Sequence, residues 1–214
     1  MELYTFFRSS AAYRVRIALN LKGIAAREHY VHLRRSGGEQ KIAPYLDLNP
    51  QALVPVVTDG GFALTQSLAI IEYIDEIHPD PPLLPSDPKA RALARSFALA
   101  IACDIHPLNN LRVLKYLGKP LGHEAGERDT WYRHWTENGL AGLERTVVNA
   151  GCAGDFLCGD TPTIADVCLV PQMYNAERFD SDLSACPTLA AVTRRCREMD
   201  AFARAAPEQQ PDAE

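Results

Sequence analysis

Five prolines fall within eleven residues at His78-Pro79-Asp80-Pro81-Pro82-Leu83-Leu84-Pro85-Ser86-Asp87-Pro88. Proline has no backbone N–H and a fixed φ, so neither a helix nor a paired strand survives that density. The segment divides the chain, and does so as a stiff spacer rather than a loose one. A length of 214 residues is enough for one large domain or two small ones, and the two sides of the prolines differ in period. Before them, strand-like and helix-like patterns alternate. Glu2–Phe6 and Arg27–Val31 read as strands, Ala43–Leu48 as a short helix, and Val54–Thr58 and Phe62–Thr65 as strands joined by Asp59-Gly60-Gly61. Two β-rich runs around Asp-Gly-Gly predict a hairpin, because glycine tolerates positive φ. Ile70, Ile74 and Ile77 then repeat at helical spacing. The order β-α-β-α-β-β-α predicts a small mixed sheet with helices packed on it.

From Lys89 onward the strand patterns vanish. Lys89–Leu117, Glu124–Val148, Ile164–Glu177 and Leu189–Ala203 are the expected helices. Thr163-Ile164-Ala165-Asp166 has the form of a capping box at a helix start. The polar tail from Pro207 is expected to be loosely held. The expected organisation is an αβ domain over residues 1–80, a linker over 81–88, and an all-helical domain over 89–214.

A formal charge of −5 without any Lys/Arg run argues against a nucleic-acid partner. Charged or polar residues interrupt every candidate membrane span, and Glu2 and Arg8 sit where a secretory signal would need its apolar core. The six cysteines lack paired metal-site spacing. They are expected to be reduced, mostly buried thiols of a cytoplasmic protein, with no metal.

The chemistry concentrates at Phe7-Arg8-Ser9-Ser10-Ala11-Ala12-Tyr13-Arg14-Val15-Arg16-Ile17-Ala18-Leu19. A strand precedes it, and Val15, Ala18 and Leu19 share a helical face, so Ser9 and Ser10 fall where strand hands over to helix. A helix N-terminus offers unpaired N–H groups and a positive dipole end, which favour anions, including a thiolate. Spacing alone is equally compatible with a serine that only caps the helix.

Four further motifs accompany this cluster: Asn49-Pro50 with Val54-Pro55, Gln66-Ser67-Leu68-Ala69-Ile70-Ile71-Glu72-Tyr73, Asn175-Ala176-Glu177-Arg178-Phe179, and Cys103 through Arg112. Together, over nearly the whole chain, the sequence resembles the zeta class of glutathione transferases, which includes maleylacetoacetate and maleylpyruvate isomerases. The resemblance implies a thioredoxin-like N-terminal domain and an all-helical C-terminal domain that contributes the second-substrate site. It also implies a cytoplasmic homodimer with glutathione as cofactor. One position departs from the class: Ala11 stands where a cysteine often follows the two serines.

On this resemblance Ser9 activates the glutathione thiol and Ser10 supports it. A free thiol has a pKa of roughly 8.5, so a hydroxyl donor and a helix N-terminus would favour the thiolate. Val54-Pro55 is implied to be a cis-proline turn pairing with the tripeptide backbone. Gln66 and Ser67 are implied to hold the γ-glutamyl carboxylate, with Gln51 and Asn110 as further contacts; Ser67 alone reads equally as a cap. Arg8, Arg112 and Arg178 match arginines that hold substrate carboxylates, for which the planar guanidinium suits bidentate pairing. His106 either polarises the substrate carbonyl or orients glutathione, or is a hydrogen-bonded structural histidine. His106 and Asn110 are four apart and expected on one helical face. Arg14, Arg16, Arg194, Arg195 and Arg197 are expected as solvated charges.

The implied reaction is conversion of maleylacetoacetate to fumarylacetoacetate in tyrosine and phenylalanine breakdown through homogentisate. Its substrate is a small dicarboxylate or keto acid. Maleylpyruvate isomerisation on the gentisate route is the close alternative. A zeta-class transferase or dehalogenase acting on halogenated acids is a more distant one.

Overall fold

A computed structural model describes residues 1–214. Strand β1 (Glu2–Thr5) alternates half-buried and buried side chains, as a strand with one covered face must. It pairs in parallel with β2 (Arg27–Tyr30) and antiparallel with β3 (Val56–Asp59). Strand β3 pairs antiparallel with β4 (Phe62–Thr65), giving the order β2-β1-β3-β4. Asp59 pairs with Phe62, so the hairpin loop is Gly60-Gly61, at φ 54° and 89°. Both signs are positive, as the tight hairpin turn matched to strand twist requires.

Helix α1 (Ser10–Leu21) makes the crossover between β1 and β2. A short helix, α2 (Ala43–Leu48), precedes β3, and α3 (Ser67–Ile77) follows β4. Ile70, Ile71 and Ile74 of α3 and Val15, Ile17 and Ala18 of α1 are fully buried. The chain divides into two compact units, Met1–Leu83 with Glu198–Glu214, and Leu84–Arg197.

The tail behaves differently from its sequence expectation. Glu198–Glu214 belongs with the αβ unit rather than with the helices before it, and it is tightly bonded. The Phe7 N–H donates to Asp212 Oδ2 at 3.0 Å. Gln210 is buried and donates to the carbonyls of Arg204 and Ala206. Glu214 pairs with Arg35 and His32. Polar composition alone misled here, because these side chains spend their hydrogen bonds on the chain itself.

The proline segment is also tied to the αβ unit. The Lys22 ammonium donates to Asp75 and to the carbonyls of His78 and Pro81, while Asp75 accepts from the Leu83 N–H at 2.8 Å.

In the second unit, α4 (Pro88–Leu99) starts on an Asp87 cap that accepts from the Ala90 N–H. The expected single helix to Leu117 is broken. A π-helical stretch spans Ala100–Ile105 and α5 (His106–Leu108) is a single turn; Asn110, in extended conformation, then caps α6 (Leu111–Gly118). Pro107 cannot donate to the carbonyl four residues back, which explains why regular α-bonding gives way there. Helix α7 (Ala125–Ala150) ends at Gly151, φ 61°, and α8 (Ile164–Arg178) begins at the expected Thr163/Asp166 capping box. The final expected helix is split into α9 (Pro187–Glu198) and α10 (Asp200–Ala203), with Met199 extended between them. No helix is long and apolar enough to cross a membrane.

Candidate active site

Ser9 is the N-cap of α1, at φ −76° and ψ 116°, and its Oγ accepts from the Ala12 N–H at 3.2 Å. The cap and the chemical reading are therefore compatible. A serine hydroxyl has one donor and two acceptor positions, and the cap spends only an acceptor. Ser9 is half-buried and Ser10 buried.

The turn that delivers Ser9 is held from below by Arg16. This residue is 3 % exposed, not solvated as its sequence position predicts. It donates to Thr5 Oγ1 at 3.0 Å, and to the carbonyls of Phe7 at 2.9 Å and Ala205 at 3.1 Å. Burial pushes its pKa down to about 10, partly offset by Glu28 and Asp212, so it stays a cation at neutral pH. Arg14 is likewise buried, at 1 % exposure. Its guanidinium donates to Ser67 Oγ at 3.2 Å. Nothing in the helical pattern distinguishes these arginines from surface ones; only packing on both faces of α1 does.

Ser67 is the first residue of α3 and is not its cap. The cap position is Gln66, at φ 71°, the left-handed region that favours glycine. Such strain outside glycine costs on the order of 1–3 kcal/mol and concentrates at functional sites. The Gln66 amide donates to Gln51 Oε1 at 3.1 Å, so these two candidates meet. The peptide bond Val54–Pro55 is cis. The loop before it is fixed by Asn49, buried, whose amide donates to the Leu53 carbonyl at 2.7 Å and whose Oδ1 accepts from the Gln51 N–H at 3.0 Å. The Tyr45 hydroxyl donates to the same carbonyl at 2.6 Å, and burial raises its pKa. Arg8 is half-buried, with its guanidinium 4.8 Å from the Phe7 ring centre.

In the helical unit, His106 and Asn110 lie on either side of the break, not on one continuous helix. Their side chains still meet, Asn110 Nδ2 to His106 Nε2, at 3.4 Å. Asn110 also caps α6, its Oδ1 accepting from the Arg112 N–H. Asn109, missed from sequence, is buried and anchors this stretch to α7 through Thr136 Oγ1 at 2.8 Å and the Tyr132 carbonyl at 3.3 Å. The Trp131 indole donates to the Leu108 carbonyl at 2.9 Å.

Arg178 is exposed and lies 4.8 Å over the Phe179 ring, which stacks on Tyr132 at 3.6 Å. Burial raises the Tyr132 pKa, and the Arg178 charge draws it partly back. The His106–Asn110 stretch and Arg178 thus reach the same Tyr132. Arg112 is exposed on the first turn of α6. Of the remaining arginines, Arg197 is half-buried and paired with Glu177 at 2.8 Å, while Arg194 and Arg195 are exposed. Only Cys168, Cys186 and Cys196 are buried; Cys103 is exposed.

Residues 3–82 match the family model described as glutathione S-transferase, N-terminal domain. A probable maleylacetoacetate isomerase of Vibrio cholerae is 53% identical, over 99% of this chain and 97% of its own. Among solved structures, a maleyl pyruvate isomerase described as a bacterial glutathione-S-transferase of the zeta class superposes with a TM-score of 0.96 at 43% identity. A maleylacetoacetate isomerase of Methylobacterium extorquens AM1, solved with malonate and GSH bound, does so with 0.96 at 41%. Both superpositions cover 100% of each chain.

Proposed function

The chain belongs to the glutathione transferase family, in the branch of the maleylacetoacetate and maleylpyruvate isomerases, and from that premise we propose that it is a glutathione-dependent cis–trans isomerase acting on maleylacetoacetate. The observation that carries the reading is the Ser9 hydroxyl. Its acceptor side is taken by the Ala12 N–H, which leaves its proton to donate at the positive end of α1.

The residues present suit glutathione. A thiolate is favoured by the Ser9 donor and the α1 N-terminus, with Ser10 beside them. A carboxylate is favoured at α3, where Ser67, buried, is held by the Arg14 guanidinium at the helix N-terminus. Gln66 and Gln51 brace each other at its edge. The Val54–Pro55 turn presents backbone to the tripeptide. Glutathione, when bound, supplies a thiol whose reversible addition and elimination at a double bond lets cis become trans without net redox change.

For the second substrate we assign Arg8, Arg112 and Arg178 to its carboxylates, since a guanidinium pairs with a carboxylate bidentately. His106, held by Asn110, donates to the substrate carbonyl as charge develops there; Asn110 acts through His106 and the α6 cap. We further propose a cytoplasmic homodimer, on the family architecture; light scattering on the purified protein tests the assembly.

Maleylpyruvate is the second reading. It is favoured by the full-length likeness to a maleyl pyruvate isomerase. The test follows freshly generated maleylacetoacetate and maleylpyruvate by absorbance, with and without glutathione. The expected result is glutathione-dependent conversion with no glutathione consumed, faster for maleylacetoacetate. Faster maleylpyruvate turnover would choose the second reading. Glutathione binding with no conversion of either would overturn both.

A further inference from the structure

Between Gly151 and Thr163 the chain forms a short loop that the proposed reaction does not use. It carries Cys152 and Cys158, both half-buried and both free. Ala153 bridges Gly159 in parallel register, which brings the backbone beside Cys152 and the backbone beside Cys158 together. The Gly159 N–H donates to the Cys152 carbonyl at 2.9 Å, which fixes that register. The Cys152 thiol reaches the carbonyl of Leu157, the residue before Cys158, at 3.4 Å.

The loop is held firmly. Phe156 and Leu157 are buried. The Leu157 N–H donates to Asp166 Oδ1 at 2.9 Å, inside the carboxylate network that starts α8. Arg195 pairs with Asp155 at 3.1 Å. Two half-buried thiols on one short loop, beside backbone segments held together by a bridge and a hydrogen bond, have the adjacent backbones that a disulfide needs.

We propose that Cys152 and Cys158 form a reversible intraloop disulfide by exchange with the disulfide form of a small thiol such as glutathione. Cys152 is the attacking group. It loses its proton to solvent, and its sulfur attacks one sulfur of the small disulfide, releasing one thiol and leaving a mixed disulfide on Cys152. Cys158 then attacks Cys152 Sγ, and its proton leaves with the second small thiol. Two protein thiols are oxidised and one small disulfide is reduced to two thiols, so atoms and electrons balance. Burial, with Cys152 and Asp166 adding, pushes the Cys158 thiol up to about 12. It therefore stays protonated at neutral pH, which leaves the first attack to Cys152, and in the second step its small thiolate fraction is offset by the nearness of the mixed disulfide.

The test incubates the full-length protein with mixtures of reduced and oxidised glutathione, blocks the remaining thiols with an alkylating reagent, and maps the peptides by mass. The expected product is a Cys152–Cys158 disulfide lacking two hydrogens, formed as the oxidised fraction rises and reversed by dithiothreitol. Exposed Cys103 should instead carry a mixed disulfide, since no thiol faces it. Cys158→Ala should convert the Cys152 product to a stable glutathione adduct, and Cys152→Ser should leave Cys158 alkylated. If both cysteines of the unaltered protein are alkylated throughout, or Cys152 keeps its adduct with Cys158 present, the proposal fails.

Discussion

The two units offer anions very different surfaces. In the αβ unit they are met by backbone and buried groups: the α1 N-terminus with its Ser9 cap, and the α3 N-terminus with Ser67 held by the buried Arg14. In the helical unit the proposed reading gives this task to Arg112 and Arg178, both exposed at the ends of helices. The first kind of site is fixed before any ligand arrives, which suits a ligand that never varies. The second kind rests on long side chains that adapt, which suits substrates differing beyond a shared carboxylate. That difference explains why the resemblance identifies the cofactor site readily and leaves two substrates close together.

The comparison is broken most directly at Ser9. Ser9→Ala removes the principal donor assigned to the thiol, and kcat/KM should fall by about 100-fold, the scale seen when one preorganised catalytic donor is lost. The cap goes with it, so thermal denaturation should show a loss of about 1 kcal/mol. Ser9→Thr keeps hydroxyl and cap and should recover much of both. Full isomerase activity in Ser9→Ala, measured with glutathione, would remove Ser9 from the chemistry and leave it a cap alone.

Arg14 tests the other preorganised end. Arg14→Met keeps bulk but withdraws the charged donor from Ser67. A hydrogen bond from a charged group is worth about 1.5–3 kcal/mol, so the KM for glutathione should rise by about 10-fold or more, with a smaller change in kcat. An unchanged KM would make Arg14 a packing residue.

Arg178→Ala and Arg112→Ala sharpen the contrast from the other side. Each should raise the KM for the dicarboxylate by about 10-fold, in line with losing one charge-assisted contact, and leave glutathione binding by calorimetry as it was. Stability should move by less than about 0.5 kcal/mol, because both side chains are exposed. Arg178 should matter more, since it shares Tyr132 with the His106 stretch. The reverse ranking would assign the substrate to α6.

What the sequence made legible follows the same division. The hairpin at Gly60-Gly61 and the capping box at Thr163 rest on local rules that a few residues satisfy by themselves. The break at Asn109-Asn110 announced itself only through Pro107, because a helical period continues across it. Arg14 and Arg16 were illegible: an arginine on α1 has the same spacing whether water or Ser67 and Phe7 lies beyond it. Asn109 acts through the Tyr132 carbonyl and the Thr136 hydroxyl, more than twenty residues along the chain. Its role is tertiary, and local patterning carries no trace of such a partner.

The smallest expected effect on rate, and the one that tests whether preorganisation reaches beyond α1 itself, is at the tail. Asp212 accepts from the Phe7 N–H, two residues before Ser9, while Arg16 holds the Phe7 carbonyl. Phe7 is thus held at both its N–H and its carbonyl, the first by a residue more than two hundred positions away. Asp212→Ala leaves that N–H without its acceptor, which should cost about 1–3 kcal/mol in chemical denaturation. Asp212→Asn retains an acceptor oxygen and should cost less. If the grip also sets the aim of the Ser9 hydroxyl, kcat should fall a few-fold in Asp212→Ala with the KM for the dicarboxylate unchanged. Lost stability with an unaltered kcat would confine the tail to folding and make α1 sufficient to place its own serine.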